Sequence, residues 1–122
     1  MESHKVLDDA ALVSLRKLQE PGEPDIVTEV VRMFFEDSAK CREAAESAFA
    51  ASDAASLAVA AHRLRGSASL LGLERLEQRA EDLEEVAVCG GPNEWATRLF
   101  RVQEALIEAS LALRAASWQT PE

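Results

Sequence analysis

An all-α fold, an up-down antiparallel four-helix bundle with a short additional helix at its N-terminus, follows from three observations. Alanine and leucine dominate the chain, aromatics make up only 5% and tyrosine is absent, a balance that favours helix. Apolar residues recur at three- and four-residue steps in four long segments, the stripe of a helix packed on one side. The segments between them are short, so successive helices fold back on one another. With 122 residues, the chain is sized for one domain, read as residues 1–122 with a core over about 6–115.

The elements follow in order. Asp8 or Asp9 caps a short first helix carrying Leu12, Leu15 and Leu18, because an aspartate side chain accepts from the free N–H groups of a first turn. Gln19–Pro24, with two prolines and a glycine, is a loop, and Pro24 is placed in the first turn of the second helix. That helix carries Val27, Val30, Val31, Phe34, Cys41, Ala45, Ala48 and Phe49. Ser52 or Asp53 caps a third helix whose inner stripe is Leu57, Ala60, Ala61, Leu64, Ala68 and Leu71. Gly72 ends it in a left-handed turn. A fourth helix turns Leu73, Leu76, Ala80, Leu83 and Val86 or Ala87 inward and is broken by Gly90-Gly91-Pro92. The last runs from about Asn93 to Ala116 on Leu99, Val102, Leu106, Ala109 and Leu113, and the chain after Ser117 is expected to fray.

Charge and composition exclude several classes of function. A net charge of −9 speaks against nucleic acid and against an anionic membrane surface. Cys41 and Cys89 are too few and too far apart for a disulfide framework or a zinc site and read as small apolar residues. No signal-peptide pattern opens the chain and no segment is long and apolar enough to span a bilayer, so a reduced cytoplasmic setting is expected. The five glycines form neither a G-x-G-x-x-G nor a P-loop pattern, so no nucleotide site of its own is expected. No metal-ligand cluster and no nucleophile–base pair stands out.

The chemistry concentrates in Ala61–Gly72. His62 lies about 200° around the third helix from Leu64, at about 100° per residue, and so faces away from the inner stripe. Gly66 follows one turn later on the same face, although a mid-helix glycine costs about 0.5–1 kcal/mol relative to alanine. It falls on the polar side with Ser69, which disfavours a helix-packing role. Gly66, with small Ala58 one turn before the histidine, leaves the approach to His62 clear, and Arg65 sets a cation beside it. An exposed imidazole with an unperturbed pKa of about 6.5 is a nitrogen nucleophile at neutral pH. Such a group accepts phosphoryl from a docked protein donor, and the guanidinium fork of Arg65 suits phosphoryl oxygens. Between Ala61 and Ala80, Arg63, Arg65, Arg75 and Arg79 face only Glu74 and Glu77, a local net of +2 in an acidic chain. Arg63, Ser69, Arg75 and Ala58 are accordingly expected to contact the partner, with steering by charge. Arg63, Arg75 and Arg79 carry a plainer reading as solvated charges, and Ser67 and Ser69 as helix-surface filler. Trp95 reads as packing at a helix start, and His4 as inert.

The run His62-Arg63-Leu64-Arg65-Gly66-Ser67-Ala68, with Gly72 following, resembles the signature of histidine-containing phosphotransfer (HPt) domains, His-x-Leu-Lys-Gly-Ser-Ser or -Ala and then a glycine. Leu76, Ala80, Leu83 and Glu84 are similar to the family's next helix, and Leu7-Asp8, Val30–Phe35 and Asp53 to its earlier part. The resemblance implies that His62 is phosphorylated on its outer ring nitrogen and that Arg65 stands where lysine is usual, a planar and bulkier cation. It implies a supporting role for Glu84, which occupies a polar position near the histidine. It also implies a phosphorelay intermediate that takes phosphoryl from a receiver-domain aspartate, often in a hybrid sensor histidine kinase, and passes it to the receiver domain of a response regulator. The partner supplies the magnesium, and this chain holds no cofactor. A monomer is expected, since the reactive face must stay free. A non-catalytic adaptor of the same fold is the competing reading, kept open by Arg65.

Overall fold

A computed structural model describes residues 4–116 of the chain. Its five helices are α1 (Asp9–Arg16), α2 (Ile26–Ala50), α3 (Ala54–Leu70), α4 (Glu74–Cys89) and α5 (Pro92–Ala115). The four long helices form a ring in which α2 packs on α3, α3 on α4, α4 on α5 and α5 on α2. The expected all-α bundle with a short extra N-terminal helix is therefore the fold observed. Leu57, Leu71, Leu73, Leu76, Leu83 and Leu113 are the largest fully enclosed side chains at its centre. Of the alternative inward residues on α4, Ala87 is buried and Val86 only partly so.

Aspartates start three of the helices. Asp8 accepts from the Ala10 N–H. Asp25 accepts from the Thr28 N–H at 3.0 Å and the Thr28 hydroxyl at 2.7 Å, and Asp53 does the same with Ser56 at 3.1 and 2.7 Å. Asp8 and Asp53, rather than Asp9 and Ser52, are thus the caps. Several boundaries differ from expectation. Pro24 precedes the Asp25 cap instead of entering the helix, because its carbonyl accepts from the Gln19 amide, whose oxygen in turn receives the Ile26 N–H. Leu18 lies beyond α1 and is exposed, because Leu18 and Gln19 donate three residues back, to Leu15 and Arg16. That tightening rotates Leu18 off the Leu12–Leu15 stripe. Pro92, not Asn93, opens α5, where a missing N–H costs nothing.

The turn between α3 and α4 fixes the end of the bundle that α1 covers. Gly72 is left-handed at φ +69° and accepts from the Asp8 N–H at 2.7 Å, and a Cβ there would lie 2.7 Å from the Asp8 carbonyl oxygen. Only glycine satisfies both the turn and this approach. Leu73 is buried but stands outside α4 as its N-cap. At the opposite end Trp95 is buried, as expected, with its indole N–H donating to the Val86 carbonyl at 2.8 Å. The expected fraying after Ser117 falls outside the described residues.

Candidate functional site

Helix α3 presents His62 to solvent because its neighbours Ala61 and Leu64 are held in the core. The imidazole is anchored on one edge only. Its Nδ1 lies 3.1 Å from Glu84 Oε2 on α4 and 3.2 Å from Arg65 Nη2. Among the described residues its Nε2 has no partner, and 59% of the side chain is exposed. A carboxylate only accepts and a guanidinium only donates, so the two contacts to Nδ1 belong to different tautomers. Arg65 has other anions within reach, Glu84 at 3.7 Å and Glu81 at 3.9 Å. In the neutral tautomer in which Glu84 accepts the Nδ1–H, the lone pair stands on the outward Nε2, and Arg65 faces the two carboxylates.

The surroundings of Nε2 are shaped to be approached. A Cβ added at Gly66 would meet nothing within 4 Å, so nothing inside the chain requires this glycine, and the cleared space faces outward. Ala58 and Ser69 lie on the same strip of α3, within about 40° of His62. The strip is two-sided. Toward α4 it is charged, with Arg65, Glu81 and Glu84; toward α2 it is mixed, with exposed Val59, Leu70 and, on α2, Met33 beside Arg63 and Asp37.

The four arginines that give Ala61–Ala80 its local net of +2 are separated. Arg65 stays at the histidine. Arg63 turns to α2, 3.5 Å from Asp37, which also accepts from Ser67 Oγ at 2.6 Å. Ser67 is thus a tie between α2 and α3 rather than filler. The expectation that Arg75 belongs to the partner-facing surface is corrected. Nine residues before Glu84, or about 13 Å along α4, and on the helix's other side, Arg75 pairs with Glu108 of α5 at 3.1 Å and donates to the His4 carbonyl. Arg79 also lines the groove between α4 and α5. Glu81 and Asp37 were not anticipated; the first was marked only by its place one turn before Glu84, the second by no sequence signal. Cys41 is buried, as expected of a small apolar residue, and burial pushes its thiol pKa up; Cys89 is exposed.

Comparison with known proteins bears on the family of the chain. The family model of the Hpt domain matches residues 29–115. This chain belongs to the Hpt domain family. Histidine-containing phosphotransfer protein 2 of Arabidopsis thaliana is 36% identical over 74 residues, 58% of this chain and 47% of that protein, so the match spans about half the length of that relative. The crystal structure of a histidine-containing phosphotransfer protein from Medicago truncatula superposes with a TM-score of 0.78 at 25% identity, over 89% of this chain and 75% of that one.

Proposed function

We propose that this Hpt domain is a phosphorelay intermediate, with His62 as the residue that carries the phosphoryl group. The observation that carries the reading is the free, solvent-facing Nε2 of an imidazole whose Nδ1 is held by Glu84. The Nε2 lone pair attacks the phosphorus of an aspartyl phosphate on a receiver domain. The P–O bond of the mixed anhydride breaks, and the receiver's carboxylate leaves with the electron pair. Nε2 has no proton to lose in this tautomer, and the positive charge that forms on the ring is met by Glu84 through Nδ1–H. Onward transfer is the reverse step, with a second receiver's aspartate attacking phosphorus and neutral imidazole leaving.

Arg65 is the cation placed to meet the phosphoryl oxygens, and its guanidinium can leave Glu81 and Glu84 to do so. Gly66 and Ala58 leave room for the receiver's active site, while Ser69, Arg63 and the Val59–Leu70–Met33 side offer its docking surface. The partners under this reading are receiver domains of a hybrid sensor histidine kinase and of a response regulator, which bring the magnesium, and docking is transient. The chain has no glycine-rich phosphate loop, so the phosphoryl group comes from a partner rather than from ATP. It acts as a monomer in the cytoplasm, and among the described residues no helix is long and apolar enough to cross a membrane.

The test is transfer from a phosphorylated receiver domain. Wild type acquires phosphate that is lost in acid and survives base; His62→Gln, with the same helical content, acquires none. A wild type that binds receivers across a panel but takes no label would replace this reading with that of an adaptor.

A further inference from the structure

The outer face of α5 lies diagonally across the bundle from α3, since α5 packs on α4 and α2 and these in turn on α3. Three large apolar residues are left in solvent there: Phe100 at 59% exposure, and Ile107 and Leu111 each at 63%. Spaced by seven and four residues, they fall within about 40° of one another and form one stripe about 16 Å long. Scattered apolar residues on a surface need no explanation, but an aligned, unpartnered stripe does.

Ile107 is the ridge between two grooves. On its α2 side is a cavity of about 540 Å³ whose lining includes Phe35, Leu106, Leu111, Arg42 and Arg114. On its α4 side is one of about 390 Å³ edged by Arg75, Arg79 and Arg101. Five arginines thus flank the stripe against three glutamates, in a chain whose net charge is −9. Two of the glutamates are already neutralised, Glu46 by Arg42 at 3.3 Å and Glu108 by Arg75 at 3.1 Å. Arg114 lies over the Phe35 ring, 5.5 Å from its centre. Among the described residues Arg79 and Arg101 make no ion pair, and Glu104 and the Arg75-paired Glu108 line the same groove.

The geometry points to a second docking face, on which an acidic amphipathic helix of a protein partner lies along α5. Its apolar stripe covers Phe100, Ile107 and Leu111, and its carboxylates reach Arg79 and Arg101 on one flank and Arg114 on the other. This is the helix-in-groove mode of recognition with the charges specified. A second copy of the chain is disfavoured by symmetry. A two-fold antiparallel pairing of α5 helices sets each flank against itself, and each flank carries more arginine than glutamate. An anionic lipid surface is disfavoured by the charge of the whole chain. Because the face is remote from His62, its occupant and a receiver domain can be bound at once.

The probe is a fluorescent 18-residue helical peptide with a leucine stripe edged by glutamates, set against the same peptide with lysines in their place. The glutamate peptide binds at least tenfold more tightly and shifts backbone amide signals of α5 and the first half of α4, leaving those around His62 in place. Arg79→Glu combined with Arg101→Glu weakens the glutamate peptide about tenfold, Ile107→Asp removes binding of both peptides, and each variant keeps wild-type helicity. Equal binding of the two peptides, shifts confined to α3, or no response to the double charge reversal would overturn the proposal. A concentration-dependent dimer abolished by Ile107→Asp would overturn it in favour of a second copy. Binding to phosphatidylserine vesicles without discrimination between the peptides would overturn it in favour of a lipid surface.

Discussion

Under the proposed function, His62, Glu84 and Arg65 divide the work of one small cluster: a nucleophile, the group that holds it, and the cation that can move. Glu84 touches His62 from the neighbouring helix at 3.1 Å, so its removal frees the ring to rotate and to change tautomer. Glu84→Ala is expected to slow phosphoryl transfer from a receiver domain about tenfold, equivalent to about 1.4 kcal/mol of barrier, with Glu84→Gln losing less because an amide oxygen still accepts from Nδ1–H; stopped-flow transfer rates check both. Gly66 makes the opposite point. Nothing within 4 Å obstructs a Cβ there, so Gly66→Ala is expected to raise stability by about 0.5–1 kcal/mol in urea unfolding while slowing transfer, since the new methyl enters the space a partner needs. The sequence made His62, Arg65 and Gly66 legible because their relation is carried by a single helix, where spacing alone sets the face. Glu84 was legible only as a position, because a contact across 22 residues depends on how two helices pack. The Ser67–Asp37 tie was hidden for the same reason.

The elements were legible where a local rule governs them and off by a residue or two where a competing bond decides. The stripes of α2 to α5 follow their periodicity, whereas Pro24 and Leu18 were displaced by the Gln19 side chain and by a tightened last turn. Helix starts also make the fold pH-sensitive. Hydrogen bonds from the Thr28 and Ser56 side chains and backbone hold the Asp25 and Asp53 carboxyls below their ordinary pKa. A depressed native pKa contributes stability that is complete above the unfolded value, about 3.9, and is lost as pH falls through the native one. Thermal melting followed by circular dichroism is therefore expected to lose this contribution only below about pH 4, and Asp25→Asn, which keeps an acceptor but cannot titrate, is expected to flatten that part of the profile.

Across the whole molecule, charge is sorted by the ring of helices in a way no linear count displays. The excess of arginine between Ala61 and Ala80 makes the sequence around His62 locally basic. Folding sends Arg63 to α2, keeps Arg65 at the histidine and turns Arg75 and Arg79 toward α5. The reason is helical phase: Arg75 and Glu84 stand about 180° apart around α4. Arg75 accordingly ties α4 to α5 and to the chain before α1, through Glu108 and the His4 carbonyl. Arg75→Ala is expected to lower stability by about 0.5–1 kcal/mol, the scale of a partly exposed ion pair, and to leave transfer to and from receiver domains unchanged; unfolding and transfer measured on one preparation check this together. The bundle thus sets the His62 strip of α3 apart from the outer face of α5.

The central claim, that the phosphoryl group resides on the outward nitrogen of His62, is tested most directly by nitrogen-15 and phosphorus-31 NMR of the ring-labelled protein after exposure to a phosphorylated receiver domain. The expected result is a phosphorus coupling to Nε2 of His62, with Nδ1 still protonated against Glu84. A coupling to Nδ1, or phosphate on any other residue, would contradict it.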